Sequence, residues 1–157
     1  MRAKTISESK VVMANVMLPQ HANPAGNVHG GEIMKMMDTV AGAVATKHAR
    51  SNIVTARVDE LKFIQPVRIG DLLTCYGQLT YVGRTSMEIL VTVTVENLSK
   101  DEGPITALTA FFTLVSLDAN GKPTPVPMLD VTTEAERLAY EEGQKRYLLH
   151  KEQPPKP

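Results

Sequence analysis

Asn27, Gly30, Gly31 and Asp38 fall in one short segment, Asn27-Val28-His29-Gly30-Gly31-Glu32-Ile33-Met34-Lys35-Met36-Met37-Asp38. It reads as a polar loop, a double glycine and then an apolar helix carrying one carboxylate. A glycine pair at a helix start lets a ligand approach bare backbone N–H groups, where the helix dipole favours developing negative charge. A carboxylate on an apolar helix face costs stability unless something uses it. Amide, helix N-terminus and a buried acid together point to acyl transfer at a carbonyl.

Asp38 shares its helix face with Met34, Ala41, Gly42 and Ala45, and those small neighbours permit close approach by a ligand or a second backbone. Such a carboxylate can act as general base for water or as nucleophile toward a carbonyl. It can equally cap a neighbouring loop or pair with Arg57 or Lys62. Asn27 can orient water or polarise a carbonyl, or serve only as a turn residue beside Gly26. At ~1.5 Å per residue Asp38 lies about 10 Å along the helix axis from Gly31, and Asn27 precedes that helix. The two side chains of one chain need not meet, and a site shared between two chains is the simpler geometry.

His29 is a possible general base or a partner for nearby backbone groups, and His48 reads as a charge complement at the far end of the helix. His21, His29, His48 and His150 have no metal-ligand spacing, so no metal is expected. No Gly-x-Ser-x-Gly elbow is present, which disfavours a serine hydrolase. Arg57, Lys62, Arg84, Lys145 and Arg146 are the cations available for a phosphate-bearing ligand, with Arg84-Thr85-Ser86 adding hydroxyls and turn amides.

The elements that must position these residues follow from periodicity. Val11 to Leu18 reads as a strand closed by Pro19. From Gly31 to about Ala49, Ile33, Met37, Val40, Val44 and His48 form a helical stripe, apolar enough to require wrapping by other structure. Period-2 alternation then dominates: Leu73 to Tyr81 and Met87 to Val95 are half-buried strands. Val54, Ala56 and Val58 share one face while Leu61 and Phe63 are out of phase, which calls for a bulge near Asp59-Glu60. Ile105 to Leu117 is apolar or small on both faces, as an inner strand would be. Pro123, Pro125 and Pro127 mark an extended linker. Thr133 and Glu136 have capping-box spacing for a charged helix to about His150, weakened by Gly143 and thin in apolar residues, so it should dock on something. Pro154 to Pro157 reads as a loose tail. The sum is an α+β chain: one antiparallel sheet around one long helix.

The chain has 157 residues, enough for a single domain with a real core. Lys+Arg and Asp+Glu are 17 each, so there is no global field for nucleic acid or an anionic membrane. Trp is absent, which further weakens a base-stacking reading. Cys75 is the single cysteine and excludes an internal disulfide. No apolar run approaches membrane-spanning length and Met1 to Thr5 lacks a signal core, so a cytoplasmic protein is expected.

The segments Gly26 to Gly31, Met37-Asp38, Asn52 to Asp59, Thr85 to Ile89 and Ala110 to Thr113, in that order, resemble the hotdog-fold acyl-CoA thioesterases of the cytosolic acyl-CoA hydrolase type. The match runs roughly from Ser9 to Leu117 and continues into the C-terminal helix. The resemblance implies a hotdog domain over 8–122, a Pro-rich linker over 123–131, a C-terminal helix over 132–151 and a tail over 152–157. It implies hydrolysis of acyl-CoA to free acid and CoA, with no cofactor beyond the CoA of the substrate. Asn27 of one protomer and Asp38 of the other would form a composite catalytic site, with Gly30 and Gly31 supplying oxyanion-binding amides. Ala56, Arg57, Val58, Thr85, Ser86, Met87 and Lys145 would bind CoA, with Arg146 a nearby alternative to Lys145. Partners would be the acyl-CoA substrate and further copies, as an edge-to-edge dimer and a trimer of dimers, without nucleic acid or membrane insertion. The competing readings are a hotdog hydratase or dehydratase working through His29, and a non-catalytic acyl-CoA-sensing domain with Asp38 structural.

Overall fold

The computed structural model describes residues 1–152. The short strand β1 (Lys4–Thr5) leads into β2 (Val11–Val16) and the long helix α1 (Gly30–Ala49). Four long strands follow, β3 (Asn52–Phe63), β4 (Leu72–Val82), β5 (Ser86–Glu96) and β6 (Ile105–Leu117). The short β7 (Leu129–Asp130) and the helix α2 (Glu134–Glu152) close the chain. The sheet order is β2-β4-β5-β6-β3, every neighbouring pair antiparallel. This is the helix-in-sheet arrangement that the periodicity demands. Its centre is β5, the strand with the cleanest alternation, and its edges are β2 and β3.

The helical stripe lies against the concave face: Ile33, Met37, Val40, Val44 and His48 are all buried, together with Ala41 and Ala45. Leu73, Cys75, Leu79, Met87, Ile89, Val91, Val93, Leu108, Ala110, Phe112 and Leu114 meet them from the sheet. Burial pushes the Cys75 thiol up to about 12, as for an inert core cysteine. Glycine decides where helix and sheet come closest. A Cβ on Gly77 would stand 2.6 Å from Val40 Cγ1 and 3.0 Å from Val44 Cγ2, so the close passage of β4 under α1 at this point needs a glycine.

The bulge expected near Asp59-Glu60 is present: the β3–β6 register shifts between Asp59 and Lys62, and Glu60 has φ of 52°. A second shift, between Thr55 and Arg57, was not foreseen. Between them they turn Thr55, Val58 and Phe63 toward the helix side, opposite Leu114, Phe112 and Leu108, and leave Arg57 and Asp59 on the outer face.

Two departures concern the ends. β1 pairs in parallel with β7, and the proline segment 123–131 is extended but sewn down. Thr124 N–H donates to Ser116 O, Val126 N–H donates to Arg84 O, and Val126 is buried. Helix α2 packs outward on β4. Gly143, read as a weakness, is the point of contact: a Cβ there would lie 2.7 Å from Tyr81 Cβ and 2.9 Å from Glu88 Oε1. The cap also differs in detail. Glu136 N–H donates to Thr133 Oγ1, while the Glu136 carboxylate accepts from the backbone and hydroxyl of Thr132, not from Thr133. Helix α2 runs to Glu152, and the tail Pro154 to Pro157 lies outside the described residues.

Candidate active site

The loop before α1 is more ordered than its composition implies. Asn23 Oδ1 accepts the backbone N–H groups of Ala25 and Asn27 at 3.0 and 3.1 Å, and Asn23 N–H donates to Asn27 O at 2.8 Å. Asn27 then bridges to Arg68, and Val28 N–H donates to Val67 O. The loop is thereby tied to the segment following β3. His29 is the N-cap of α1, its Nδ1 accepting Gly31 N–H at 3.0 Å. That is the backbone-partner reading of His29. It also occupies one of the two expected oxyanion amides. Gly30 N–H finds no acceptor among the described residues, so it is the open donor at the positive end of the helix dipole. Phe63 closes one side, its ring 3.8 Å from where a Gly30 Cβ would be.

Two turns along α1, Asp38 is exposed in the protomer rather than enclosed. It pairs with neither Arg57 nor Lys62; the Thr55 hydroxyl donates to Asp38 Oδ1 at 2.6 Å. The helix and β3 run in opposite directions, with Gly30 level with Phe63 and Asp38 level with Thr55. The two elements lie side by side there, and Asp38 Oδ2 has no hydrogen-bond partner among the described residues. Thr55 carries no spacing signal relative to Asp38. It could be found only by knowing that β3 returns along α1 with Thr55 on its helix side.

On the outer face of the sheet, beneath the end of α2, a cavity of about 240 Å³ is lined by Arg57, Tyr81, Ser86, Met87, Glu88, Thr113, Tyr147, His150 and Lys151. It brings together three of the expected CoA contacts, Arg57, Ser86 and Met87. Ala56, Val58 and Thr85 lie beside them in sequence but do not line it. Lys145 is exposed, ion-paired to Glu142 at 3.1 Å, and stands outside the cavity wall. Arg146 is committed elsewhere. It donates to both oxygens of the buried Glu88 carboxylate at 3.0 and 2.8 Å, and its guanidinium lies 3.8 Å over the Phe111 ring. Thr80 Oγ1 adds a third bond to Glu88 at 2.6 Å. The hydrogen bonds from Arg146 to Glu88 raise the Arg146 pKa and fix it as part of the α2 dock.

His48 departs from the charge-complement reading. Its ring is fully buried, with Nε2 2.7 Å from Pro127 O and Nδ1 without a partner. A carbonyl can only accept, so Nε2 carries the proton, and burial lowers the pKa and keeps the ring neutral. No group of three or more His, Cys, Asp or Glu among the described residues could hold a metal ion, and no described helix is long and apolar enough to cross a membrane.

The family model described as Thioesterase superfamily matches residues 25–100. The cytosolic acyl coenzyme A thioester hydrolase of Rattus norvegicus is 43% identical over 148 residues, which is 94% of this chain; the chain spans 39% of that relative's length. An uncharacterized acyl-CoA thioester hydrolase of Bacillus subtilis is 38% identical over 133 residues, covering 85% of this chain and 77% of the relative. Among solved structures, an apo-hexameric acyl-CoA thioesterase matches with a TM-score of 0.90 at 34% identity, covering 96% of each chain. The acyl-CoA hydrolase of Staphylococcus aureus, solved with butyryl-CoA, CoA and CoA disulfide, matches at 0.86 and 31% identity over 95% of this chain and 90% of that one. Variants of that enzyme with an aspartate, an asparagine or a threonine replaced by alanine have also been solved. With identity at this level running across most of a bacterial relative, and the same fold throughout, the chain belongs to the acyl-CoA thioester hydrolases of the thioesterase superfamily.

Proposed function

We propose that this chain hydrolyses acyl-CoA thioesters to a carboxylic acid and CoA, at a site completed between two copies. The observation that carries the reading is the Thr55 hydroxyl of β3 donating to Asp38 Oδ1 of α1, with Oδ2 unpartnered among the described residues. In the base route Asp38 takes a proton from water as the water oxygen bonds to the thioester carbon. The oxyanion forms against the Gly30 N–H of the other copy, and against its Gly31 N–H where the His29 bond gives way. Collapse breaks the C–S bond, and the proton on Asp38 passes to the thiolate. In the alternative route Asp38 attacks the carbonyl carbon and breaks the C–S bond, expelling the CoA thiolate; water then cleaves the acyl-aspartyl anhydride to the acid and free Asp38, and the proton released goes to the thiolate. Ala56, Arg57, Val58, Thr85, Ser86, Met87 and Lys145 would hold CoA, a placement supported by the cavity at Arg57, Ser86 and Met87. Copies joined along their β3 edges would bring the loop of one chain to Asp38 of the other, and three such dimers would make a hexamer.

The loop amide has two candidates. Asn27 is the residue assigned on resemblance. Asn23 is favoured by spacing: the aspartate and threonine replaced in the S. aureus enzyme are 17 positions apart, as Asp38 and Thr55 are, and its asparagine precedes the aspartate by 15, the offset of Asn23. CoA thiol release from a panel of acyl-CoAs tests both. Asp38→Asn should lose about 100-fold or more in kcat, the range for a general base. Of Asn23→Ala and Asn27→Ala, the one with the larger kcat loss identifies the amide. Wild-type protein that binds CoA and releases no thiol at any chain length overturns the function, and Asp38→Asn at full rate overturns the site.

A further inference from the structure

The outer cavity has an arrangement of charge that its role as a CoA site does not by itself require. Glu88 is neutralised by Arg146. Lys151 Nζ lies 5.5 Å over the Tyr147 ring, and no carboxylate pairs with it among the described residues. Asp59 does not line the cavity but stands beside two residues that do, Arg57 and His150, and a single oxygen of it lies close to both. Arg57 Nε of β3 is 3.0 Å from Asp59 Oδ2, and His150 Nε2 of α2 is 3.6 Å from the same atom. The bulge between Thr55 and Arg57 puts Arg57 and Asp59 on one face of β3, and the last turns of α2 bring His150 over them. With Nε ion-paired to the carboxylate, both terminal Nη groups of Arg57 remain free of protein partners among the described residues, and that fork suits a phosphate.

We propose that Asp59 is the positioning residue of the phosphate-binding wall, holding Arg57 and His150 side by side so that the end of α2, with Lys151, closes on the phosphates of the CoA portion. The inference rests on the acyl-CoA reading above and adds the part of the substrate that each residue serves. Recognition of the thioester end belongs to the surroundings of Asp38 and Thr55. Asp59 acts only on the phosphorylated end, and only through Arg57 and His150.

The test compares wild type with Asp59→Asn and His150→Gln on an acyl-CoA and on the N-acetylcysteamine thioester of the same acid, which has the reacting bond and no phosphate. Binding of CoA alone is measured by calorimetry in parallel. Asp59→Asn should raise KM for acyl-CoA and the Kd for CoA about tenfold, the scale of losing an organised charge-assisted bond. It should leave kcat within twofold and kcat/KM for the short thioester unchanged, with His150→Gln shifting the same parameters less. Equal losses on both substrates would mean that Asp59 only maintains the fold. Tighter CoA binding by Asp59→Asn would mean that its charge merely repels phosphate. Either result overturns the proposal. Wild-type protein inactive on both thioesters would instead overturn the hydrolase reading, while the calorimetry would still decide the role of Asp59.

Discussion

Thr55 illustrates how much one hydroxyl contributes at the residue scale. By donating to Asp38 Oδ1 it orients the carboxylate and leaves the other oxygen for the reaction. Thr55→Ala should lower kcat about tenfold with little change in KM, and Thr55→Ser should restore most of the rate; steady-state thiol release measures both. His48 gives a different residue-scale prediction. Its folded pKa is depressed by burial, so the unfolded chain binds a proton first as the pH falls. The stability contribution is full above the unfolded value of about 6.5 and is lost as the pH drops through the folded one. His48→Gln keeps an N–H for Pro127 O and cannot titrate. The fall in Tm from pH 7.5 to 5.5 should therefore be smaller in the variant; an equal fall would place the acid sensitivity elsewhere.

At the scale of elements, two glycines set the distances between layers. Gly77 admits α1 to β4 against stiff Val40 and Val44, so Gly77→Val should destabilise the whole domain by about 1–3 kcal/mol, the usual range for overpacking. Gly143 admits α2 against Tyr81 and Glu88. Gly143→Val should push α2 off the sheet and pull Arg146 from a buried carboxylate. Limited proteolysis should then cut first within α2 while the β2–β6 sheet persists, whereas Gly77→Val should open the molecule as one unit. The α2 dock also explains how a helix with Leu138, Leu148 and Leu149 exposed is stable. Its anchoring face is made of Tyr140, Gly143, Arg146 and Tyr147, with Tyr140 and Tyr147 packed against the Tyr81 ring.

For the whole molecule, the exposure of Asp38 and the unpaired edge of β3 belong together. Asp38, proposed above as base or nucleophile, lies open to solvent in the single chain, and a second copy along that edge would cover it. Mixing Asp38→Asn protein with the inactive loop-asparagine variant should restore activity toward one intact site in each mixed dimer. Absence of recovery, with subunit exchange shown by mass spectrometry, would confine the site to one chain.

The sequence by itself determined the periodic features: the buried face of α1, the alternation of β4 and β5, the bulge at Glu60, the core position of Cys75 and the acid–glycine motif. These depend on local geometry, in which each residue's face follows from its neighbours' spacing. Tertiary structure decided what meets across distance. It gave Asp38 to Thr55 rather than Arg57, Arg57 to Asp59, Arg146 to Glu88 and the buried ring of His48 to Pro127. It also made Gly143 a contact rather than a flaw. Partners such as these are fixed by the direction in which β3 returns along α1 and by the seat of α2 on β4. No spacing along the chain encodes them, because a hydrogen bond needs only about 3 Å in space and any separation in sequence.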